Sequence, residues 1–399
     1  MKIRSVAVAA SAALLVMVVA GCSAPVHRTA TAPTSSSLPK PSSPIALHIL
    51  DVSGDLSTSK PMIDAFAKAN PQLVSGIQYE TGSAPDVVGK IQAEQTANNV
   101  DIDMILTGPL ALSQMVGQKQ VVKTVPTYAS HLPDLDKVLT PAATDFQKLA
   151  QGYGVITRGG GWAGPLWAYN KANVTSPPKT PQALLAWAKA HPGKFVYANP
   201  TSGSGPANAF IDALPYMLGD KNPGDPAKGW DKTWAYLKQL NQYVDRYPAG
   251  TSDTFVGLGN GTYDLAPSEG SWDQLEHGTK VLDSGFGVYA FDKPIMSSDG
   301  HFIAVPKGVD PSHIYVDMAL ASWLLKPEQA AAGYATSNVF PVKGVELSMA
   351  SPQVQAATKG YYALDLFKQL DKARTTLPLD GDEVQAMYDK WNQLIGSQK

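Results

Sequence analysis

The residues best suited to hold a small polar group lie in the stretch 198–206, Ala-Asn-Pro-Thr-Ser-Gly-Ser-Gly-Pro. A β-like run, Phe195–Ala198, precedes this stretch, and an apolar helical pattern begins near Ala207. A turn between a strand and a helix directs several backbone N–H groups, and the positive end of the helix dipole, at one point. The pattern therefore predicts a site for an anionic or carbonyl group, with Ser202 and Ser204 as contacts. The structural alternative is that the glycines make the turn and one of the serines caps the helix.

The composition is that of a globular protein with enough residues for two domains. The chain has 399 residues, of which 44% are hydrophobic and 17% are charged. The 32 basic and 34 acidic residues give a formal net charge of −2, which argues against a nucleic-acid partner. The seven histidines lack the spacing of a zinc-binding helix motif, and a single cysteine cannot form an intrachain disulfide. We therefore expect no cofactor and no metal, with a metal site made of scattered residues as the alternative.

The N-terminus has the features of a secretory signal. Basic residues precede the apolar run Val6–Ala20, which ends in Val19–Cys22, a sequence that resembles a bacterial lipobox. By that resemblance, residues 1–22 are a lipoprotein signal peptide, and Cys22 becomes the lipidated first residue of the mature chain, carrying palmitate or a similar acyl group. Residues 23–44, rich in Ser, Thr and Pro, are predicted to be a disordered tether. The alternative is a transmembrane anchor, for which the apolar run is short.

Strand and helix patterns alternate after residue 44. Predicted strands cover Ile45–Asp51, Val74–Tyr79 and Ile102–Leu106, and predicted helices cover Pro61–Lys68 and Val87–Ala97. This alternation indicates parallel βαβ units, in which ligands bind beyond the carboxyl ends of the strands. The candidate contacts at that edge are Ser53, Asp55, Thr81 and Thr107. Asp51 and Asp55 have a second interpretation, because either could cap the first helix.

The second half of the chain continues the pattern. Thr180 is a candidate N-cap with Pro181 at the first helical position, and a strand is predicted at 193–200. A later amphipathic helix, Trp230–Tyr243, has an apolar stripe that we interpret as core and not as a cofactor site. The members of that stripe are Trp230, Trp234, Leu237, Leu240 and Val244.

These features together resemble the substrate-binding proteins of ABC importers. The resemblance is carried by the lipobox, the tether, the run Ala65–Pro71, the strand Asp101–Thr107 and the motif Leu325–Ala330. It points to the group that includes polyamine, thiamine, ferric-iron and sulfate binders. The resemblance implies an α/β, two-lobe periplasmic-binding-protein-like fold, in which each lobe is a mixed or parallel sheet flanked by helices and two crossing strands form the hinge.

The resemblance also implies how the chain is divided. Residues 45–165 would form the first part of lobe 1, residues 166–288 lobe 2, and residues 289–399 the return to lobe 1 with the C-terminal helices. The crossing strands would be Pro165–Asn170 and Phe286–Phe291. The candidate cleft contacts in this part of the chain are Trp167, Tyr169, Glu269 and Trp272.

The function implied is capture of a small solute between the lobes and its delivery to an ABC permease. The protein would be a monomer, lipid-anchored on the extracytoplasmic face of the cell membrane. The Ser-Gly turn favours an anionic or oxygen-bearing group. Trp167, Tyr169, Trp272 and Glu269 favour a cationic or aromatic group through cation–π contacts and charge pairing. A thiamine- or polyamine-like solute satisfies these features best, and an oxyanion is second.

Two other classes of function compete with this one. A hydrolase in the cleft could use Ser202 or Ser204, but Gly203–Gly205 lacks the Gly-x-Ser-x-Gly spacing of a nucleophile elbow. A carboxylate pair such as Asp55 and Glu269 could serve a glycosidase. The third class is a surface lipoprotein that interacts with other molecules without transporting a solute. We expect that the protein is not an enzyme.

Overall fold

A computed structural model describes residues 37–337, 339–359 and 364–399. The predicted signal peptide, Cys22 and most of the predicted tether lie outside the described residues. The strands are β1 Ile45–Asp51, β2 Val74–Thr81, β3 Met104–Thr107, β4 Gly154–Gly164, β5 Leu166–Asn170, β6 Leu265–Ser268, β7 Phe286–Tyr289, β8 Ile295–Ala304 and β9 Arg374–Thr376.

The helices flank these strands, and the first two follow β1 and β2 as the alternation predicts. They are α1 Leu56–Ala69, α2 Ala84–Thr96, α3 Pro109–Gly117, α4 Thr124–Thr127, α5 Leu135–Val138, α6 Pro141–Gln147, α7 Pro181–Ala190, α8 Gly205–Leu218, α9 Asp231–Asn241, α10 Thr251–Gly259, α11 Gly270–Gly278, α12 Pro311–Leu324, α13 Pro327–Ala330, α14 Pro352–Lys359, α15 Leu364–Leu370 and α16 Gly381–Leu394.

The first sheet is mixed, with the strand order β2-β1-β3-β8-β4. β1 runs parallel to β2 and β3, as predicted, so Asp51 pairs with Thr81 and Leu106 and all three strands end at one edge. The Asp51 carboxylate accepts hydrogen bonds from the N–H groups of Ser53, Asp55 and Leu56. Asp51 therefore satisfies the backbone donors at the start of α1, which confirms the capping interpretation for this residue.

The second sheet is antiparallel, with β5 between β6 and β7. The predicted strand at 193–200 is wrong. Only an isolated parallel bridge joins Phe195 to Leu265, and Asn199 instead donates its N–H to Pro248 O. Since this segment divides its backbone hydrogen bonds between two different partners, it cannot build a ladder along one strand.

A long ribbon of β4 and β8 connects the two sheets. Its pairs run from Gly154–Ala304, inside the first sheet, to Gly164–Ser297, and β5 begins in the second sheet at Leu166. The predicted crossing segments are displaced, because 166–170 and 286–289 lie within the second sheet and β4 and β8 make the connection. A third segment, β9, also runs beside β8.

The ribbon depends on glycine at one close approach. Gly159 has a φ of +70°, and a Cβ at this position would lie 2.5 Å from Asp299 O on the facing strand. Irregular pairing on both sides of Gly159 accompanies this conformation. The ribbon is therefore bent and closely paired at the point where it leaves the first sheet.

Each sheet has its own core. The first core gathers apolar side chains from β1, β3, β8, α1 and α12. The second is rich in aromatic rings, and the predicted stripe of α9 is buried there, which confirms its interpretation as core. Thr180 accepts a hydrogen bond from Ala183 N–H, which confirms the predicted cap of α7.

The last helix packs differently from the expectation that the C-terminal helices join lobe 1. Met387 and Trp391 of α16 lie in the second core, where Trp391 Nε1 donates to Tyr197 Oη at 3.2 Å. At its other end, Gly381 adjoins Leu110 and Ser113 of α3, beside the first core. The apolar face of α16 carries an indole that packs edge-on against Tyr197 and Tyr247, so this end of the helix joins the aromatic core.

No helix in the described part of the chain combines the length and apolar character needed to cross a bilayer.

Candidate functional site

The predicted strand-end residues surround the start of α1. Thr107 is buried and donates its hydroxyl to Gly108 O at 3.1 Å, and a Cβ on Gly108 would lie 3.9 Å from Ser53 Cβ. Ser53 Oγ is buried and has no hydrogen-bond partner among the described residues. Thr81, at the end of β2, is exposed to solvent. The structure therefore brings Ser53, Asp55 and Thr107 to one edge and leaves Thr81 outside on the surface.

Asp55 forms a buried charged contact with the ribbon. Its side chain is 1% exposed, and Oδ1 lies 2.8 Å from His301 Nδ1 and 3.5 Å from Arg158 Nη1. Oδ2 accepts a hydrogen bond from Ser59 Oγ at 2.8 Å. Burial alone would raise the pKa of Asp55, but His301, Arg158 and Ser59 together lower it to about 2. Asp55 is thus an anion held by two partners on the ribbon.

The geometry indicates which atom carries the proton in this cluster. His301 Nδ1 has two close neighbours. It lies 3.0 Å from Arg158 Nη1 and 2.8 Å from Asp55 Oδ1. An ionised carboxylate only accepts hydrogen bonds, so His301 Nδ1 must be the donor to Asp55. Arg158 and His301 are then two donors that lie side by side because both face the same acceptor, the Asp55 carboxylate.

The other side of Arg158 lines a narrow cavity. This cavity lies between the ribbon and the N-terminus of α11, the helix that follows β6 of the second sheet. Its polar lining comes from Arg158 and Asp299 on the ribbon, Ser271 on α11 and Ser337, with the ring of Trp162 beside them. Trp162 Nε1 donates to Asp371 at 3.0 Å, which fixes the orientation of the indole. We take this Arg158 cavity as the candidate functional site.

Glu269 lies immediately before α11 and is 4% exposed. A Cβ on Gly205 would lie 2.6 Å from its Oε2, and one on Gly164 would lie 2.9 Å from its Cγ. No hydrogen bond joins its carboxyl group to another described residue. Burial and the nearby charge of Asp299 raise the pKa of Glu269, and Arg158 opposes them only in part. Glu269 is therefore a buried acid enclosed by two glycines.

The Ser-Gly turn folds as a short 3₁₀ turn at Pro200–Ser202, a left-handed Gly203 and then α8. Ser202 Oγ donates to Asn199 O at 2.7 Å, and Ser204 Oγ lies 2.8 Å from Thr251 Oγ1. Gly203 makes the turn and Ser204 occupies the N-cap position of α8, as the structural alternative expects, but neither serine side chain makes a cap hydrogen bond to the helix. Within the described residues, no hydrogen bond connects either hydroxyl to a histidine.

A second, open groove lies beside this turn. Ser202, Ser204 and Trp272 line it together with residues 249–253. The indole of Trp272 stacks with Phe255, their centroids 6.4 Å apart. The structure thus brings three predicted contacts together here, in a groove whose lining residues differ from those of the Arg158 cavity.

Trp167 and Tyr169 join neither group. Trp167 is fully buried in the second core and stacks on Phe291 at a centroid distance of 4.4 Å. Tyr169 packs edge-on against Tyr289 at 5.5 Å, along the same sheet. Trp167 and Tyr169 are two residues apart on β5 and so share a face of the strand. Both rings pack against other aromatic side chains there.

Sequence reasoning missed Arg158, Trp162 and Asp299 as members of the site. The signal in the sequence that could have found them is the run Arg158–Gly161, in which an arginine precedes three glycines. The ribbon explains these glycines, because the two strands approach closely there. The described residues contain no group of three or more His, Cys, Asp or Glu placed to hold a metal ion.

Comparisons with known proteins match one family model to most of the chain. The family model described as bacterial extracellular solute-binding protein matches residues 61–359. The protein YnjB of Escherichia coli (strain K12) is 29% identical over 168 residues, which are 38% of this chain and 41% of YnjB. The match therefore spans about two fifths of the length of that relative.

Solved structures share the fold at low identity. The spermidine/putrescine ABC transporter substrate-binding protein PotD from Streptococcus pneumoniae is 14% identical with a TM-score of 0.64, covering 89% of this chain and 99% of PotD. The periplasmic binding protein AfuA from Actinobacillus pleuropneumoniae, solved with fructose-6-phosphate, is 16% identical with a TM-score of 0.59, covering 88% and 98%. The predicted two-lobe α/β fold is thereby confirmed.

The buried Asp55 cluster predicts a specific acid sensitivity. Because the pKa of Asp55 falls from 3.8 to about 2 on folding, its stabilising contribution is complete above about pH 5 and is lost as the pH falls toward 2. The loss is about 2 kcal/mol. We expect Asp55→Asn to remove this part of the pH dependence and to cost roughly 3–5 kcal/mol at neutral pH, since Arg158 and His301 lose their anion.

Urea unfolding between pH 2 and 7 measures both effects, with the exposed Asp136→Asn as the matched control. The control should follow the wild-type curve. An Asp55→Asn curve parallel to wild type below pH 5 would contradict the role given to Asp55.

Proposed function

This chain belongs to the family of bacterial extracellular solute-binding proteins, and we propose that it captures a small solute between two lobes and delivers it to an ABC permease. One observation carries the proposal: the Arg158 cavity is enclosed by the ribbon on one side and by α11 on the other. A solute held there would contact both halves of the molecule. Closure of the halves around it would bury its surface, which is where the affinity of such a site arises.

The proposed lobes follow the two sheets. Residues 45–165 and 289–399 would contribute to lobe 1 and residues 166–288 to lobe 2, with α16 reaching from one to the other. The β4–β8 ribbon, joined by β9, would act as the hinge, because it is the paired segment between the two sheets. Hinges of this kind are a few residues at the ends of elements that absorb the change in backbone angles.

The proposed ligand is a thiamine- or polyamine-like solute, with an oxyanion as the second candidate. In the Arg158 cavity Asp299 supplies negative charge and Trp162 supplies aromatic surface for a cation, and the Glu269 carboxyl group lies close to Asp299. The name of PotD states spermidine and putrescine, which is consistent with the first class. AfuA was solved with a phosphorylated sugar, and Arg158 is the residue that would favour an anionic group of that kind.

We further propose that the mechanism is binding and lobe movement, without catalysis, in a monomer. The hydrogen bonds of Ser202 and Ser204 support this, since both hydroxyls are engaged with Asn199 and Thr251 and neither with a base. Residues 1–22 would be a lipoprotein signal peptide, 23–44 a tether, and Cys22 the acylated residue that holds the protein on the extracytoplasmic face of the cell membrane.

Ligand-dependent stability tests the binding function. The full-length chain, purified in mild detergent, is screened by thermal shift against thiamine, spermidine, sulfate and galactose. We expect one probe to stabilise the protein by about 2.7 kcal/mol at a hundredfold excess over its Kd, and mass spectrometry to recover that probe unchanged. Absence of a shift with all four probes would contradict solute binding, and conversion of the probe would favour the hydrolase instead.

The anchor is tested separately by Cys22→Ser. Because acyl attachment needs the thiol, we expect the variant to leave the membrane fraction and appear in the soluble fraction. Ser23→Ala, one residue along the chain, is the matched control and should remain with the membrane. Fractionation of expressing bacteria followed by immunoblotting measures the distribution, and membrane retention of Cys22→Ser would rule out lipidation at this residue.

A further inference from the structure

We propose that the Glu269 carboxyl group holds a proton while the cleft is empty and releases it when a cationic solute binds beside it. This inference rests on the proposed function, because Glu269 directly precedes Gly270 and Ser271, which line the Arg158 cavity. It assigns Glu269 a role in specificity, namely that of selecting solutes which bring a positive charge. Proton release would then accompany binding.

The Glu269 side chain is buried and closely packed. It is 4% exposed, a Cβ on Gly205 would lie 2.6 Å from the carboxyl oxygen Oε2, and a Cβ on Gly164 would lie 2.9 Å from the methylene carbon Cγ. No described residue gives its oxygens a hydrogen bond. An ionised carboxylate in such surroundings has lost most of its water without gaining a donor, so the neutral acid is favoured.

Charged groups face Glu269 from several neighbouring elements. Asp299 on β8 is negative and opposes ionisation, whereas Arg158 on β4 favours it. Arg158 also serves Asp55, 3.5 Å away, so its charge is already shared with another anion. On α11 itself, Asp273 is buried one turn further along. The positive end of α8, at Gly205, favours the ionised form but donates no hydrogen bond to it.

The balance of these groups leaves Glu269 without a cation of its own. Arg158 favours its ionisation but is shared with Asp55, which His301 also contacts, and Asp299 opposes it. The upward shift in the pKa of Glu269, caused first by burial and then by Asp299, agrees with this balance. A cation near Glu269 would supply the missing charge and would favour the ionised form.

Coupling between cation binding and the ionisation of Glu269 makes the affinity for a cation depend on pH. Since a cation binds the ionised form, its affinity should rise with pH by up to about tenfold per unit as long as free Glu269 is protonated. A neutral solute gains nothing from this ionisation, and an anion is opposed by it. Glu269 would therefore separate cationic solutes from the others by charge.

Calorimetry on the full-length chain in detergent tests the inference with spermidine and thiamine as cationic probes and with sulfate and galactose for comparison. Titrations at pH 7 in phosphate and in Tris, which differ in ionisation enthalpy, give the number of protons released. We expect close to one proton released per cation bound in wild type. The Glu269→Gln variant should release none and bind the cation about tenfold more weakly.

Glu276→Gln is the matched control, because Glu276 lies on the same helix and is also buried. It should release the same number of protons as wild type. If Glu269→Gln does not fold, the buffer dependence of the wild-type titrations decides the matter alone.

Three outcomes separate this inference from the function on which it rests. Cation binding with an enthalpy that does not depend on the buffer would overturn the inference and leave solute binding intact. Binding of sulfate or galactose, without binding of either cation, would do the same. Binding of none of the four probes would contradict the proposed function, and the inference with it.

Discussion

The contact of Asp55 with His301 and Arg158 is the interaction on which the arrangement of the cleft depends. It joins the end of β1, at the edge of the first sheet, to both strands of the β4–β8 ribbon. The pair Arg158–His301 is itself a register pair of that ribbon, so the carboxylate fixes the two strands relative to the sheet. Because the contact is buried, neither strand can shift without leaving a charge unpaired, which is strongly unfavourable.

The site follows from this constraint. Once one side of Arg158 is engaged with Asp55, its other side and the neighbouring Asp299 line the cavity beneath α11. Glycines allow the two strands of the ribbon to approach closely at this point. Gly164 and Gly205 also leave space for the Glu269 side chain. The same stretch of backbone therefore connects the sheets, forms the cavity and encloses a buried acid. In a family whose members bind solutes, such a combination is well placed to convert binding into movement.

Much of the fold could be predicted from local pattern. The alternation after residue 44 correctly gives β1, β2 and β3, because buried parallel strands and amphipathic helices leave distinct periodicities. The cap of α7 and the buried stripe of α9 are also local, and both are confirmed. The strand-end rule placed Asp55 near the site for the same reason.

The rest of the site depends on contacts between distant parts of the chain, which no local pattern records. Arg158 and His301 are 143 positions apart and meet only through the ribbon register. Trp167 is of a residue type that often contacts ligands, yet its side chain lies in the second core. The packing of Trp391 against Tyr197 likewise joins segments 194 positions apart. The contacts predicted from strand ends and from the resemblance therefore fall beside the start of α1, in the open groove and in the second core, and none of them lines the Arg158 cavity.

The distance between the two halves of the molecule, measured with and without solute, tests the central claim most directly. Spin labels at Lys68→Cys on α1 and Lys238→Cys on α9, both exposed, would report it by pulsed electron resonance. The only other cysteine is Cys22, so the chain without the two substitutions is the control. We expect a shorter and narrower distance distribution when spermidine or thiamine is bound. An unchanged distribution in the presence of a bound solute would contradict this expectation.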